Sequence, residues 1–218
     1  MQSTIRFSLF GNFEKFNTSN LETYMKLIAF FGKKGYKPST ANELQLQPNG
    51  QVKMIIMPIF IYDNGNVVEI SSNRINFQKT TDAYGELTSL NEVFVAELLD
   101  LMIEFVSEIG VVSNRVALNC DIIKDEISST MPTVSTYFNE VVMTEMNVRN
   151  AFRKNIENEE SNIIAEKYVN VNGSATKYSY DINSIAENIK MRFNESNIRK
   201  MYESFVNVGM EVERGMNV

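Results

Sequence analysis

The sequence predicts an α+β protein with a mainly antiparallel sheet and helices packed on one face of it. Three observations lead to this fold class. Short segments alternate apolar and polar residues, as half-buried strands do, and tight turns join several of them. Two longer stretches repeat apolar residues at helical spacing. The helices do not alternate one-to-one with the strands, which argues against a parallel βαβ sheet.

The first elements are a strand and a helix. Residues 4–10 alternate loosely between apolar and polar, which predicts a half-buried strand. Thr18-Ser19-Asn20 offers an N-cap, and the Gly-Lys-Lys-Gly of residues 32–35 suits a helix exit, so we expect a helix over 20–33. A short strand follows near residues 43–46.

The most apolar run of the chain is Val52–Tyr62, and it suits a strand covered on both faces. Pro58 lacks an N–H, so we expect it at a bulge or on the sheet edge. Asp63-Asn64-Gly65-Asn66 predicts a tight turn, and Val67–Phe77 returns as a strand. Ser71-Ser72-Asn73 interrupts that strand and indicates a kink.

A long amphipathic helix is predicted over residues 90–109, after a loop over 80–89. Its apolar stripe includes Phe94, Leu98 and Phe105 and is wide enough to pack on a sheet. Residues 115–123 then alternate as a strand.

The second half repeats the hairpin-plus-helix order less clearly. We expect a strand over 141–148, a hairpin of 163–171 and 176–180, a helix carrying Ile182, Ile185, Ile189 and Phe193, and helical residues near 198–208. The two helical segments form either one helix or two broken near residues 194–197. The repeated order raises the alternative of two similar hairpin-plus-helix lobes.

The predicted domain organisation follows from a polar stretch after the central strand. Residues 1–124 form an N-terminal α+β lobe, 125–135 a linker or long loop, and 136–218 a C-terminal hairpin-plus-helix lobe. One continuous domain is the alternative, since 218 residues can fold as a single unit.

Composition excludes several kinds of chemistry. The chain has no histidine and one cysteine, so Ser-His-Asp catalysis, Cys-His catalysis and a zinc site built from its own His or Cys side chains are excluded. Net charge is −6, which argues against duplex nucleic acid as a partner. No run is long enough for a membrane span, and no secretion leader is evident, so we expect a cytoplasmic protein without a cofactor.

Acidic residues dominate residues 80–114, where seven Asp and Glu occur without one Lys or Arg. Glu97, Asp100, Glu104 and Glu108 are spaced to lie on one face of the predicted helix, and each like-charge pair there costs roughly 0.2–0.5 kcal/mol. One interpretation is a solvated face whose repulsion is offset by apolar burial. The other is a docking face for a protein partner with a basic surface, or, less directly, mimicry of nucleic acid.

A second acidic cluster follows the central strand. Asp121, Asp125 and Glu126 are weak candidates for a divalent metal site, since carboxylates bind Mg²⁺. The lysine two residues after a glutamate that many nucleases use is missing here, because Glu166 and Lys167 are adjacent. Cys120 lies among apolar residues and is expected to be a small buried side chain.

Several short motifs resemble a sporadically distributed family of uncharacterised bacterial α+β proteins. The resemblance covers residues 50–123 best. Its carriers are Ser72-Asn73-Arg74-Ile75-Asn76-Phe77, Tyr84, Glu86, the helix from Phe94 to Phe105, Asn114-Arg115-Val116-Ala117-Leu118, and the last helix with Phe205. The family pattern favours a Trp after the Arg-Phe strand, and this chain has none. The resemblance implies a bacterial or phage α+β protein and no particular chemistry.

Two function classes follow from these observations. The first is a non-catalytic protein of a bacterial or phage cytoplasm, acting through protein–protein contacts, with a role in defence or anti-defence as one setting. Its 12 Met and 14 Phe also suit an apolar homodimer surface. The second is a metal-dependent enzyme that uses the Asp and Glu clusters, on nucleic acid or another substrate.

Overall fold

The computed structural model describes residues 3–63, 65–81, 93–124, 145–170 and 175–216. Its helices are α1 (Leu21–Gly32), α2 (Val93–Ile109) and α3 (Ile198–Met216). Its strands are β1 (Ser3–Phe10), β2 (Lys37–Leu46), β3 (Val52–Ile61), β4 (Asn66–Ile70), β5 (Arg74–Thr81), β6 (Arg115–Lys124), β7 (Glu145–Ile156), β8 (Glu159–Asn170) and β9 (Ala175–Ser184).

All nine strands form one sheet in the order β2-β3-β4-β5-β1-β6-β9-β8-β7. Each neighbouring pair is antiparallel, and β1 in the middle pairs with both β5 and β6. The predicted α+β class with a mainly antiparallel sheet is confirmed at this level. Strands from both predicted lobes lie in this sheet. The predicted linker, 125–135, lies outside the described residues.

The core contains one row of side chains that crosses the sheet. Cross-strand partners point to the same side, so the register places these residues on one face: Phe60, Val68, Phe77, Phe7, Leu118, Ile182 and Ile163. All are fully buried. Each helix contributes a ring that packs on this row: Phe31 lies 4.2 Å from Phe60, Phe105 5.4 Å from Phe77, and Tyr202 5.0 Å from Phe7 between ring centroids.

The start of α1 agrees with the sequence prediction, whereas three strands differ from it in their bounds. The Asn20 side chain caps α1 by accepting the Thr23 N–H at 3.3 Å. The predicted strand 67–77 is in fact two strands, β4 and β5, and the Ser71-Ser72-Asn73 interruption is the turn between them. Strand β2 is longer than predicted, because a polar, solvent-exposed edge strand has no apolar alternation to reveal it.

Pro58 ends a hydrogen-bonded ladder. It lies inside β3 and pairs with Thr40 of β2, whereas β3 pairs with β4 only over residues 59–61. The Tyr62 N–H donates to the Asn66 carbonyl at 2.9 Å, so in an antiparallel ladder residue 58 would donate toward Ile70. Because proline has no N–H, the β3–β4 ladder stops one residue earlier.

The predicted helix carrying Ile182, Ile185, Ile189 and Phe193 is wrong. Strand β9 continues to Ser184, and residues 185–197 connect it to α3 without a helix. Tyr178, Tyr180 and Ile182 alternate on one face of β9, which is the period of a strand, and they are buried. The β7–β8 hairpin precedes β9, and its turn holds Glu157 and Asn158 at positive φ.

Candidate protein-binding surfaces

The four carboxylates of the predicted docking face lie on α2 and are exposed. Two of them form ion pairs with neighbouring helices. The Asp100 carboxylate accepts from Arg199 of α3 at 2.8 Å, and Glu104 pairs with Lys34, which follows α1 and also lies over the Phe30 ring. The cations that neutralise these acids come from distant parts of the sequence.

Glu97 influences two buried groups on the sheet side of α2. Burial lowers the pKa of Lys79, and the negative charge of Glu97 partly opposes that shift. Burial also raises the pKa of Tyr36, and Glu97 adds to that increase. Glu97 therefore balances a buried lysine of β5 that would otherwise lose its charge more readily.

Glu108 lies at the C-terminal end of α2 and lines a shallow cavity. Lysines of the α1 region share that cavity: Lys15, Lys26 and Lys33. Three acids of α2, Asp100, Glu104 and Glu108, thus face positive charge once α1 and α3 pack beside this helix. The docking role of Glu97, Asp100, Glu104 and Glu108 stays a prediction, and the ion pairs also account for a structural role.

We expect these ion pairs to contribute little to stability. Asp100→Asn and Glu104→Gln should each lower the free energy of unfolding by less than about 1 kcal/mol, because exposed pairs gain little over solvated charges. Urea unfolding at low and high salt is the measurement, and the effect should shrink as salt screens the charges. A loss above about 2 kcal/mol that did not change with salt would show that these ion pairs contribute more to stability than exposed pairs do.

Of the second acidic cluster, only Asp121 lies among the described residues. The Asp121 carboxylate accepts from the Ser179 hydroxyl at 2.6 Å and pairs with Lys177 at 3.2 Å on β9. Asp125 and Glu126 lie outside the described residues. Within the described ranges, no three acidic or cysteine side chains converge as a metal site would require. Cys120 is buried, as expected from its apolar neighbours.

A polar band on the sheet face opposite Phe7 was not foreseen. Arg6 donates to Gln78 at 2.6 and 2.9 Å, and buried Ser8 donates to Asn76 at 2.9 Å. Nearby, burial raises the pKa of Asp181, against the opposing influence of an Asn183 hydrogen bond and the Arg115 charge. The alternating pattern of β1 marks its outward residues, but their partners on β5 become apparent only from the register. Arg6, Ser8, Gln78 and Asn76 satisfy one another, which favours a structural role.

The hairpin of β2 and β3 carries an exposed apolar surface. We call residues 42–56 of this hairpin the arm. Five large side chains share one side of it, because Leu44 pairs with Met54, Leu46 with Val52, and Asn42 with Ile56. This arm face consists of Leu44, Leu46, Val52, Met54 and Ile56, and each is 42–76% exposed.

The other side of the arm packs against the body of the protein. Ile55 is buried there, as is Met57 just beyond the arm, and Glu43 accepts hydrogen bonds from the Ser72 backbone N–H at 2.8 Å and from the Ser72 hydroxyl. The expected strand covered on both faces is therefore wrong for residues 52–56. Soluble hairpins commonly bury their apolar side and expose a polar one, whereas the arm exposes its apolar side and turns Glu43, Gln45 and Ile55 the other way.

Among the described residues, no strand pairs with the outer edge of the arm. The Gln47 N–H donates to the Gln51 carbonyl at 2.8 Å, which fixes the phase of the antiparallel ladder. Thr40, Asn42, Leu44 and Leu46 consequently direct their peptide groups away from β3, toward this outer edge. Pro38 has no N–H at the next such position, which limits the length of this edge.

No family model, curated protein or solved structure matches the chain. Among the described residues, no helix has both the length and the apolar character needed to cross a membrane. The proposals below therefore depend on the contacts and exposed surfaces of the chain itself.

Proposed function

We propose that this is a non-catalytic protein that acts through protein–protein contacts, and that the arm face is its principal contact surface. The observation that carries the proposal is the exposure of five large apolar side chains on one side of one hairpin. Together they present roughly 500 Å² of side-chain surface, the size of patch that marks interaction sites on soluble proteins.

The arm face is unusual because it is continuous. Exposed apolar residues scattered singly need no explanation, since every folded protein has them. Here Leu44 and Met54 lie side by side, and Leu46 and Val52 continue the row toward the hairpin turn. Covering such a surface gains about 25 cal/mol per Å², so a partner that covered it would be favoured by the hydrophobic effect.

The acidic side of α2 is the second surface in this proposal. Glu97 and Glu108 form no ion pair within the described residues, and they are the carboxylates most available to a partner with a basic surface. A bacterial or phage cytoplasm and a defence or anti-defence setting remain part of the same proposal. They follow from composition and from the family resemblance.

The proposal also includes the arrangement of the helices and of the two halves of the sheet. We infer two similar halves that meet where β1 pairs with β6, with the helices on one face. Each half begins at the centre of the sheet, moves to one edge and returns strand by strand, as the order β2-β3-β4-β5-β1 and its counterpart β6-β9-β8-β7 indicate. The ring contacts of Phe31, Phe105 and Tyr202 with one row of the sheet support the shared face.

Affinity purification from the host that encodes the chain tests the proposal. Wild-type protein should retain a defined set of host proteins, and Leu44→Glu/Met54→Glu should lose them, because two charges then lie on the arm face. Ile189→Glu is the matched control: Ile189 is 78% exposed but lies in the segment between β9 and α3. A parallel variant, Glu97→Lys/Glu108→Lys, reports on α2.

The arm variant and Ile189→Glu should keep their circular dichroism spectrum and unfolding midpoint, since every changed side chain is exposed. The α2 variant should keep its spectrum but unfold at a lower midpoint, because Glu97→Lys places a second positive charge near the buried Lys79. If the arm variant captures the same proteins as wild type, the arm face is not the contact surface. If the α2 variant alone loses them, the acidic interpretation replaces it.

A further inference from the structure

We infer that the arm face is covered by a second copy of this chain, with two arms packed face to face about a two-fold axis. This inference rests on the proposed function, because it names the partner of the surface proposed above. Two properties of the arm favour a second copy, its lack of charge and its area, and the edge of β2 distinguishes two ways in which the copies could meet.

Charge is the first property. In a two-fold contact the same surface lies on both sides, so a charged residue near the axis meets its own sign. The chain has a net charge of −6, which opposes self-association in general. Yet the arm face has no charged residue, and its flanking pair is Asn42 and Ile56. The surface is therefore neutral where two copies would touch, in a protein that is otherwise acidic.

Area is the second property. Roughly 500 Å² from each arm gives about 1,000 Å² in total, which reaches the lower bound for a specific interface. Additional apolar surface lies close by. The Thr18 N–H donates to the Ile56 carbonyl at 3.0 Å, so the start of α1 lies beside the arm. Leu21 and Met25, one turn apart on α1, are both more than half exposed.

The outer edge of β2 raises a second geometry, in which the two copies would pair edge to edge rather than face to face. If two β2 strands paired edge to edge, their apolar sides would lie next to each other in one larger sheet and remain uncovered. Packing the arm faces against each other removes the side chains from water on both copies, as in sheet-on-sheet packing. The outward peptide groups of Thr40, Asn42 and Leu44 can then stay hydrated, so the dimer does not depend on them.

Sedimentation velocity over about 1–100 μM protein tests this arrangement, the range in which a modest interface dissociates. The wild-type chain, 24.9 kDa as a monomer, should sediment as a dimer at the upper end. Leu44→Glu/Met54→Glu should raise the dimer dissociation constant by at least about 100-fold, because a charge at the contact would be buried without a partner. Ile189→Glu should leave that constant unchanged.

A second variant separates the two geometries. Asn42→Pro removes an outward N–H from the β2 edge without removing a hydrogen bond between β2 and β3. Face-to-face packing predicts that Asn42→Pro still dimerises, whereas edge-to-edge pairing predicts that it does not. Circular dichroism of each variant establishes that a loss of dimer is not a loss of fold.

The outcomes of the two proposals differ. A wild-type chain that is monomeric at every concentration overturns the second-copy inference, and so does a dimer that tolerates Leu44→Glu/Met54→Glu. If the chain is monomeric but that variant still loses captured host proteins, the arm binds a different protein and the proposed function stands. If neither dimerisation nor capture depends on the arm, both proposals are wrong.

Discussion

Replacing Phe105 with alanine is expected to lower the free energy of unfolding by about 3–5 kcal/mol, the range for deleting a large buried aromatic side chain. Phe105 is fully buried at the point where α1, α2 and the sheet meet. Its ring centroid lies 5.4–6.3 Å from those of four other phenylalanines: Phe16, Phe30, Phe31 and Phe77. The loss combines the transfer of the ring from water with the cavity that its four neighbours cannot close.

Urea unfolding followed by far-ultraviolet circular dichroism measures this effect. Phe152→Ala on β7 is the matched control, since Phe152 is 46% exposed and should lose no more than about 1 kcal/mol. Phe105→Leu should fall between the two, because it keeps part of the volume. If Phe105→Ala cost as little as Phe152→Ala, the ring cluster would not be the centre of the core.

The helix that carries Phe105 could be predicted because its signal is local. Leu98, Leu101, Met102 and Phe105 repeat at helical spacing, and the structure buries all four. The β2 strand could not be predicted at its full length, because an exposed edge strand is polar over most of its residues. The false helix over Ile182–Phe193 arose because four apolar residues at a spacing of three or four satisfy a helical period, while the neighbouring tyrosines fit the strand period better.

The candidate surfaces were predicted less well, for two physical reasons. Charges that are unbalanced along the sequence can be balanced in space, as Lys34 and Arg199 show for the acids of α2. A continuous apolar run also does not reveal which of its sides is covered. The run Met54-Ile55-Ile56-Met57 predicts a strand buried on both faces, but only Ile55 and Met57 are buried. Burial depends on which elements pack nearby, so the arm face became visible only in three dimensions.

Replacing Arg192 with alanine is expected to cost about 2–3 kcal/mol, because it removes several bonds to one charged group and leaves a partly buried carboxylate alone. Arg192 Nε donates to Glu159 Oε1 at 2.9 Å, and Nη2 lies 2.9 Å from Oε2 as an ion-pair contact. Nη1 donates to the carbonyl oxygens of Asn114 and Asn188, and the guanidinium lies over the Phe193 ring. Both charged side chains are less than a quarter exposed.

The position of Arg192 explains why the effect should extend beyond one ion pair. Residues 185–197 have no helix to hold them, and Arg192 connects this segment to β8 and to the residue before β6. Arg192→Lys keeps the charge but loses the planar set of donors, so it should recover less than half of the loss. A double-mutant cycle with Glu159→Gln should give a coupling energy of about 1–2 kcal/mol. A coupling near zero would mean that the backbone carbonyls, rather than Glu159, account for the stabilisation by Arg192.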